Sequence, residues 1–215
     1  MIIAIASTKG GGGKTALATN LAAERARSKK VLLIDADTQG TSTIWANVRE
    51  ESGITPLVPC VQLVNRGAAL PREIEAIHQE YDDVIIDVGG RASEELRAVF
   101  VTADHVYFPI KSSGADVWAL AQTEAIFSAA RVVTPGVGGT IVINLASTNP
   151  PKNEAEELRE LFADFPDLEF PGIILRNRVA FDRALNGGLG ITEYRPRDGK
   201  AIGEFLSLYT HVYNG

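Results

Sequence analysis

Short, unbroken apolar runs alternate along the chain with longer segments in which apolar residues recur every three or four positions. The runs are residues 2–6 (IIAIA), 31–35 (VLLID), 61–64 (VQLV), 84–88 (VIIDV), 106–110 (VYFPI), 140–144 (TIVIN) and 170–175 (FPGIIL). They are rich in Val and Ile and do not alternate with polar residues, as expected of strands buried on both faces of a parallel sheet. Helical periodicity covers 14–28, 68–80, 92–102, 115–131, 153–163 and 199–213. Strand–helix alternation of this kind predicts right-handed crossovers and an α/β fold, a doubly wound, mostly parallel β-sheet flanked by helices. PGVGG (135–139) and STNPP (147–151) read as loops. No repeat or long linker divides residues 1–215, so one domain is expected.

Composition changes this picture little. Hydrophobic residues make up 45% and charged residues 22%, an ordinary balance for a globular protein. The net charge of -6 argues against a uniformly basic nucleic-acid binder but says nothing of local patches. The single cysteine, Cys60, excludes an intramolecular disulfide and a four-cysteine metal site, and fits a reducing cytoplasm. His78, His105 and His211 lie far apart in sequence and share no metal-ligand spacing. No apolar run approaches eighteen residues and MIIAIA lacks a basic leader, so neither a membrane span nor a signal peptide is expected.

The chemistry begins where the first apolar run ends, in STKGGGGKT (7–15). Glycines between a strand and a helix let backbone N–H groups approach phosphate oxygens, and the helix N-terminus adds partial positive charge. Gly13, Lys14 and Thr15 close the loop in the G-K-[ST] order, which places Lys14 on the β and γ phosphates and the Thr15 hydroxyl on Mg²⁺. The usual pattern has a glycine where Thr8 stands, and Lys9 adds a second ammonium that the first one repels. Something strongly anionic must therefore lie within reach of both lysines. In VLLIDADTQG (31–40), Asp35 and Asp37 fall at a strand's carboxyl end, the ligand-binding edge of an open α/β sheet. DDVIIDVGG (82–90) is an apolar strand closing on Asp87, an acid suited to holding Mg²⁺ through water.

The order Lys9-Gly10-Gly11-Gly12-Gly13-Lys14-Thr15 resembles the deviant Walker A motif, K-G-G-x-G-K-[ST], of the ParA/MinD ATPases. The likeness runs over nearly the whole chain and implies a P-loop NTPase fold binding ATP/ADP with Mg²⁺. It implies that Lys14 serves its own nucleotide while Lys9 crosses a dimer interface to the partner's. Residues 35–40 are similar to the family's D-x-D-P-Q-G switch, with Thr38 in place of proline, which assigns Asp37 to the attacking water near Mg²⁺. The turn after Asp87, commonly proline in the family, is Gly89-Gly90 here. Pro109, Ser112, Ser113 and Asp116 match part of a further family segment and receive a structural role. The resemblance also makes Asn144, in TIVIN, an adenine-reading amide, whose alternative is an asparagine satisfied in a turn.

Among relatives, the iron–sulfur branch needs cysteines this chain lacks. The membrane-bound MinD branch needs a basic amphipathic C-terminal helix, whereas KAIGEFLSLYTHVYNG has one lysine and a core-facing apolar pattern. The chain opens directly at its first strand, which resembles the short ParA type. That type implies a cytoplasmic, nucleoid-associated homodimer with ATP that moves a plasmid or another cargo. It implies a ParB-type or cargo adaptor protein and sequence-independent DNA as partners, and no membrane. Arg176, Arg178, Arg183, Arg195, Arg197 and Lys200 give residues 176–200 a local charge of +3 against -9 elsewhere, a candidate DNA surface. The alternative class is a metabolic phosphoryl-transfer enzyme resembling dethiobiotin synthetase, which needs a substrate cluster that the sequence does not display.

Overall fold

Each of the seven apolar runs contributes to one sheet in the computed structural model of the chain, which describes residues 1–214. The strands are β1 (Ile2–Ile5), β2 (Val31–Ala36), β3 (Cys60–Gln62), β4 (Asp83–Val88), β5 (His105–Ile110), β6 (Gly138–Ala146) and β7 (Ile174–Arg176). The helices are α1 (Lys14–Arg25), α2 (Thr41–Glu51), α3 (Leu70–His78), α4 (Glu94–Thr102), α5 (Gly114–Val133), α6 (Glu154–Phe162), α7 (Val179–Asn186) and α8 (Gly199–Asn214). Strand order is β3-β2-β4-β1-β5-β6-β7, with every ladder parallel. β1 sits at the centre, and the chain winds outward from it first to one side and then to the other. The crevice at its carboxyl end is therefore the topological switch point where such sheets bind ligands.

Both faces of the sheet are covered, which is why the strands read as continuous apolar runs. Along β1, Ile2 and Ala4 enter the layer under α3, α4, α5 and α6, while Ile3 and Ile5 enter the layer under α1, α2, α7 and α8. Phe100, Phe108 and Phe127 fill the first layer edge-to-face, with centroids 5.2–5.8 Å apart. Leu17, Leu21, Phe181 and Phe205 anchor the second. Helix ends follow local chemistry. Ser93 Oγ accepts from the Leu96 N–H, and Glu94 and Glu95 complement the dipole in the first turn of α4. α1 has neither a side-chain cap nor an acid in its first turn, so its N–H groups stay free for an anion.

Two helices, α2 and α7, fall outside the segments that periodicity marks. The buried face of α2 is Ser42, Trp45, Ala46 and Arg49, half of it polar. Arg49 is fully buried, donates two 2.7 Å bonds to Glu193, and donates to the carbonyls of Pro56 and Gly188. These bonds fasten α2 to the segment after α7. α7 has eight residues and buries only Ala180, Phe181 and Ala184, too short a stripe to stand out. Among the described residues, no helix is long and apolar enough to cross a membrane.

His105 and His211, distant in sequence, are brought together at the amino-terminal end of β5, away from the carboxyl ends of the strands. Their ring centroids are 6.5 Å apart and both Nε2 atoms reach Thr140 Oγ1, at 2.8 and 3.5 Å. His78 stands elsewhere, with Nε2 3.1 Å from the chain's amino nitrogen. Among the described residues, no group of three or more His, Cys, Asp or Glu side chains could hold a metal.

Candidate nucleotide site

The loop between β1 and α1 wraps an opening at the switch point. Gly13 has φ 79, and a Cβ on it would lie 2.3 Å from Asn144 Nδ2, so this position needs glycine for both conformation and space. Lys14 is 7% exposed, with Nζ 3.3 Å from the Lys9 carbonyl oxygen and 3.5 Å from Ser7 Oγ. Burial lowers its pKa, and the carboxylates of Asp87 and Asp37 pull in the opposite direction. An ammonium stripped of water and offered only weak acceptors is poised to bind phosphate.

Asp87 stands in register with Ile5 and Asp35 on the neighbouring strands. Its Oδ2 accepts from Thr15 Oγ1 at 2.7 Å and Ser42 Oγ at 2.8 Å, while its buried Oδ1 has no partner. Burial pushes its pKa up to about 6 against the two hydroxyl bonds. A buried carboxylate with one unsatisfied oxygen, beside a threonine hydroxyl at the end of a phosphate loop, suits Mg²⁺ held largely by water and phosphate. Ser42 was not foreseeable as part of this group, because the helix carrying it gives no apolar stripe.

Asp35 and Asp37 divide their work. Asp35 is fully buried and accepts from the Asp37 N–H, the Thr43 N–H and the Thr43 hydroxyl. It builds the turn. Asp37 is half-buried, bonds only the Gln39 N–H through Oδ1, and lines the cavity beside the phosphate loop. Gly90 closes the far side of the opening. A Cβ there would lie 2.8 Å from Gly10 N, so the Gly89-Gly90 turn lets two loops touch.

Lys9 lies outside the cradle of Lys14. It is 42% exposed, and its Nζ is 2.7 Å from Oδ1 of Asp116, which is 7% exposed. Burial tends to raise the Asp116 carboxyl, but the bonds from Lys9 and Ser113 prevail and hold it below its ordinary value. Thr8 accounts for the missing leading glycine: its N–H donates to Thr123 Oγ1, and its hydroxyl donates to the Ala119 carbonyl, tying the loop to α5. Asp116, given only a structural role from sequence, is thus the local partner of Lys9.

Asn144 departs from its expected position at a strand end, since β6 continues to Ala146 with a bulge between Ile143 and Ala146. It is 4% exposed and donates to the Gly12 carbonyl at 2.8 Å, bracing the loop from beneath. The next residue, Leu145, has φ 56, an uncommon conformation for a branched side chain that the bulge imposes. Leu145, Phe181 and Leu185 give the cavity an apolar wall beside Lys14 and Thr15, within about 390 Å³.

The six basic residues of 176–200 separate into two groups. Arg176 is paired with Glu154 through bonds of 2.9 and 2.5 Å, and Arg178 with Glu204 through bonds of 2.6–3.1 Å. Their side chains are 16% and 17% exposed, so both leave the candidate DNA surface for structural ion pairs. Arg195 Nη1 bends back to the carbonyls of Thr192, Glu193 and Tyr194. Arg183, Arg197 and Lys200 line a shallow cavity with Val179 and Tyr194. Asp198, in the same wall, accepts from the Lys200 and Ala201 N–H groups and caps α8. α7 forms a wall of both cavities, with Phe181 and Leu185 toward the phosphate loop and Val179 and Arg183 toward the basic surface.

Comparison with known proteins places this site in context. Residues 3–191 match the model of the CobQ/CobB/MinD/ParA nucleotide binding domain. Maintenance of carboxysome distribution protein A from Gloeobacter kilaueensis is 31% identical over 93% of the chain and 87% of its own length. Sporulation initiation inhibitor protein Soj from Bacillus subtilis is 27% identical over 91% of the chain and 92% of its own. A McdA variant from Cyanothece, solved as an ATP complex, superposes with TM-score 0.79 over 99% of this chain and 96% of that one, at 19% identity.

Proposed function

This chain belongs to the CobQ/CobB/MinD/ParA family of nucleotide-binding domains and is an ATPase of the ParA/MinD type; we propose that it is a positioning switch that dimerises with ATP, binds DNA without sequence preference as a dimer, and is reset by slow hydrolysis. The observation that carries this reading is the division between the two lysines. Lys14 is buried in the phosphate cradle, while Lys9 is half-exposed and held by a single ion pair on the rim. One lysine suffices for one nucleotide. A second one on the rim, free to exchange Asp116 for another anion, suits a phosphate held by a second copy.

In this reading the backbone N–H groups of Gly10 to Thr15, together with Lys14, hold the phosphates. Leu145, Phe181 and Leu185 supply an apolar surface for the base, and Asn144 acts by fixing the loop. The Thr15 hydroxyl and the Asp87 carboxylate would hold Mg²⁺, which supplies charge neutralisation on the β and γ phosphates. Asp37 orients the attacking water, a positioning task of the kind that dominates phosphoryl transfer. The cargo reading rests on similarity to carboxysome-distribution and Soj proteins, and its partner would be an adaptor that stimulates hydrolysis. The basic surface of Arg183, Arg197 and Lys200, sharing α7 with the nucleotide cavity, supports DNA as the track.

Lys9→Ala tests the division of labour. It should retain nucleotide affinity, because Lys14 and the backbone remain, yet lose the ATP dimer. Each lost charge-assisted contact forfeits roughly 1.5–3 kcal/mol and two-fold symmetry doubles it. A Lys9→Ala protein that dimerises with wild-type affinity by light scattering would remove the trans role.

A further inference from the structure

Two cavities meet at the turn between β2 and α2. One holds the phosphate loop and its apolar wall, and the other, of about 300 Å³, runs from the turn toward Asn65, Arg91 and Ser93. Gly10, Asp37, Gln39 and Gly90 line both. Only Asp37 and Gln39 among them carry functional groups, and the turn fixes these two against each other. The Gly40 N–H donates to the Asp37 carbonyl at 3.1 Å, closing a four-residue turn with Gln39 in its third position. Gly40 has φ 68, and a Cβ on it would lie 3.1 Å from Nε2 of Gln62, which donates to the same carbonyl at 3.2 Å. The Gln39 N–H donates to Asp37 Oδ1 at 3.0 Å. None of these bonds uses the Gln39 side chain. It is exposed, and among the described residues its amide has no hydrogen-bond partner.

A carboxylate with one free oxygen leaves a water able to swing. Asp37 Oδ1 is engaged by the Gln39 N–H, so Oδ2 is the oxygen left to accept one of the water's two protons. In-line attack needs the direction of the water oxygen fixed as well. A primary amide supplies what is missing, because its oxygen accepts while its nitrogen donates. We infer that Gln39 is a second catalytic residue, whose Oε1 accepts the other proton of the attacking water while its Nε2 donates to a γ-phosphoryl oxygen. Water and phosphorus are then held at one distance and in one line. The water oxygen bonds to the γ-phosphorus, and the bond from that phosphorus to the β–γ bridging oxygen breaks. ADP keeps that electron pair, and the water's proton passes to the phosphate released. The inference rests on the assignment of this water to Asp37. Its neighbours do not compete for the task, since Thr38 lines only the second cavity and Gln62 donates its amide to the turn.

Three measurements on the full chain test this: single-turnover ATP hydrolysis, affinity for a non-hydrolysable ATP analogue, and affinity for ADP–aluminium fluoride, which mimics the phosphoryl group in transfer. Gln39→Ala keeps the backbone N–H that serves Asp37. It should bind the ATP analogue within about twofold of the wild type, because the cradle is untouched. Its hydrolysis should be at least about thirtyfold slower, and its affinity for ADP–aluminium fluoride at least about tenfold weaker. Gln39→Glu, of equal length but without the N–H donors, should lose as much. In an Asp37→Ala background, Gln39→Ala should slow hydrolysis by less than about threefold more, since both residues hold one water. Wild-type hydrolysis by Gln39→Ala overturns the inference while the Asp37 assignment stands. So does a loss of analogue affinity that matches the loss of rate, or a double variant in which the two losses multiply. Wild-type hydrolysis by Asp37→Ala overturns both.

Discussion

Three carboxylates on adjoining strand ends do different things because their surroundings differ. Asp35 has all its bonding spent on the turn, Asp87 is buried with one oxygen unsatisfied, and Asp37 is half-buried beside the cavity. Only Asp37 combines access with a free oxygen, since its Oδ1 alone is bonded, to Gln39. Removing it should leave the cradle intact, so Asp37→Ala is expected to bind ATP with near-normal affinity. Its single-turnover hydrolysis should fall by at least two orders of magnitude, about 3 kcal/mol in the barrier. Hydrolysis at the wild-type rate would move the water-positioning role to another residue. Lys9 and Lys14 make the same point with one residue type: Lys14 is buried against weak acceptors and Lys9 is exposed on a single ion pair, a difference that in the proposed switch suits them to different phosphates.

At the scale of elements, the parallel sheet and the phosphate loop were legible because buried strands and a glycine-rich junction leave strong local signals. α2 was not, since its inner face holds Ser42 and Arg49, whose roles appear only when Asp87 and Glu193 arrive from elsewhere in the chain. α7 escaped for a different reason, its two short turns being set by packing on α1 and α2 rather than by periodicity. The bulge that turns Leu145 into the cavity is likewise a property of strand pairing, as is the meeting of His105 with His211. That meeting has a measurable consequence. Burial, with His211 adding to it, holds the His105 pKa down at about 4, below the 6.5 of an exposed imidazole. The unfolded chain therefore takes up a proton that the fold refuses. This contribution to stability is present above pH 6.5 and is lost as pH falls toward 4. His105→Gln should flatten the decline between those values by about 2 kcal/mol after allowing for partial solvation. Parallel denaturant melts of the two proteins across that range check it, and equal slopes would show that His105 is protonated in the fold.

The whole molecule joins an acidic total to a local basic surface, and the structure narrows that surface. With Arg176 and Arg178 consumed by Glu154 and Glu204, and the Arg195 guanidinium folded back on three carbonyls, the proposed DNA surface offers about three phosphate contacts per subunit, from Arg183, Arg197 and Lys200. For a dimer this predicts a slope of log K against log salt of roughly -5, and half that for a monomer. Replacing Arg197 and Lys200 together should reduce the dimer's slope to roughly -2 and leave ATP-driven dimerisation unchanged, whereas replacing Arg176 should cost folding stability rather than salt dependence. An unchanged slope in the double variant would place the DNA elsewhere. All of this depends on nucleotide deciding how many copies act together, and the direct test is the mass of the protein by light scattering with Mg²⁺–ADP and with a non-hydrolysable ATP analogue. About 23 kDa is expected with ADP and twice that with the analogue. One and the same mass in both states would contradict it.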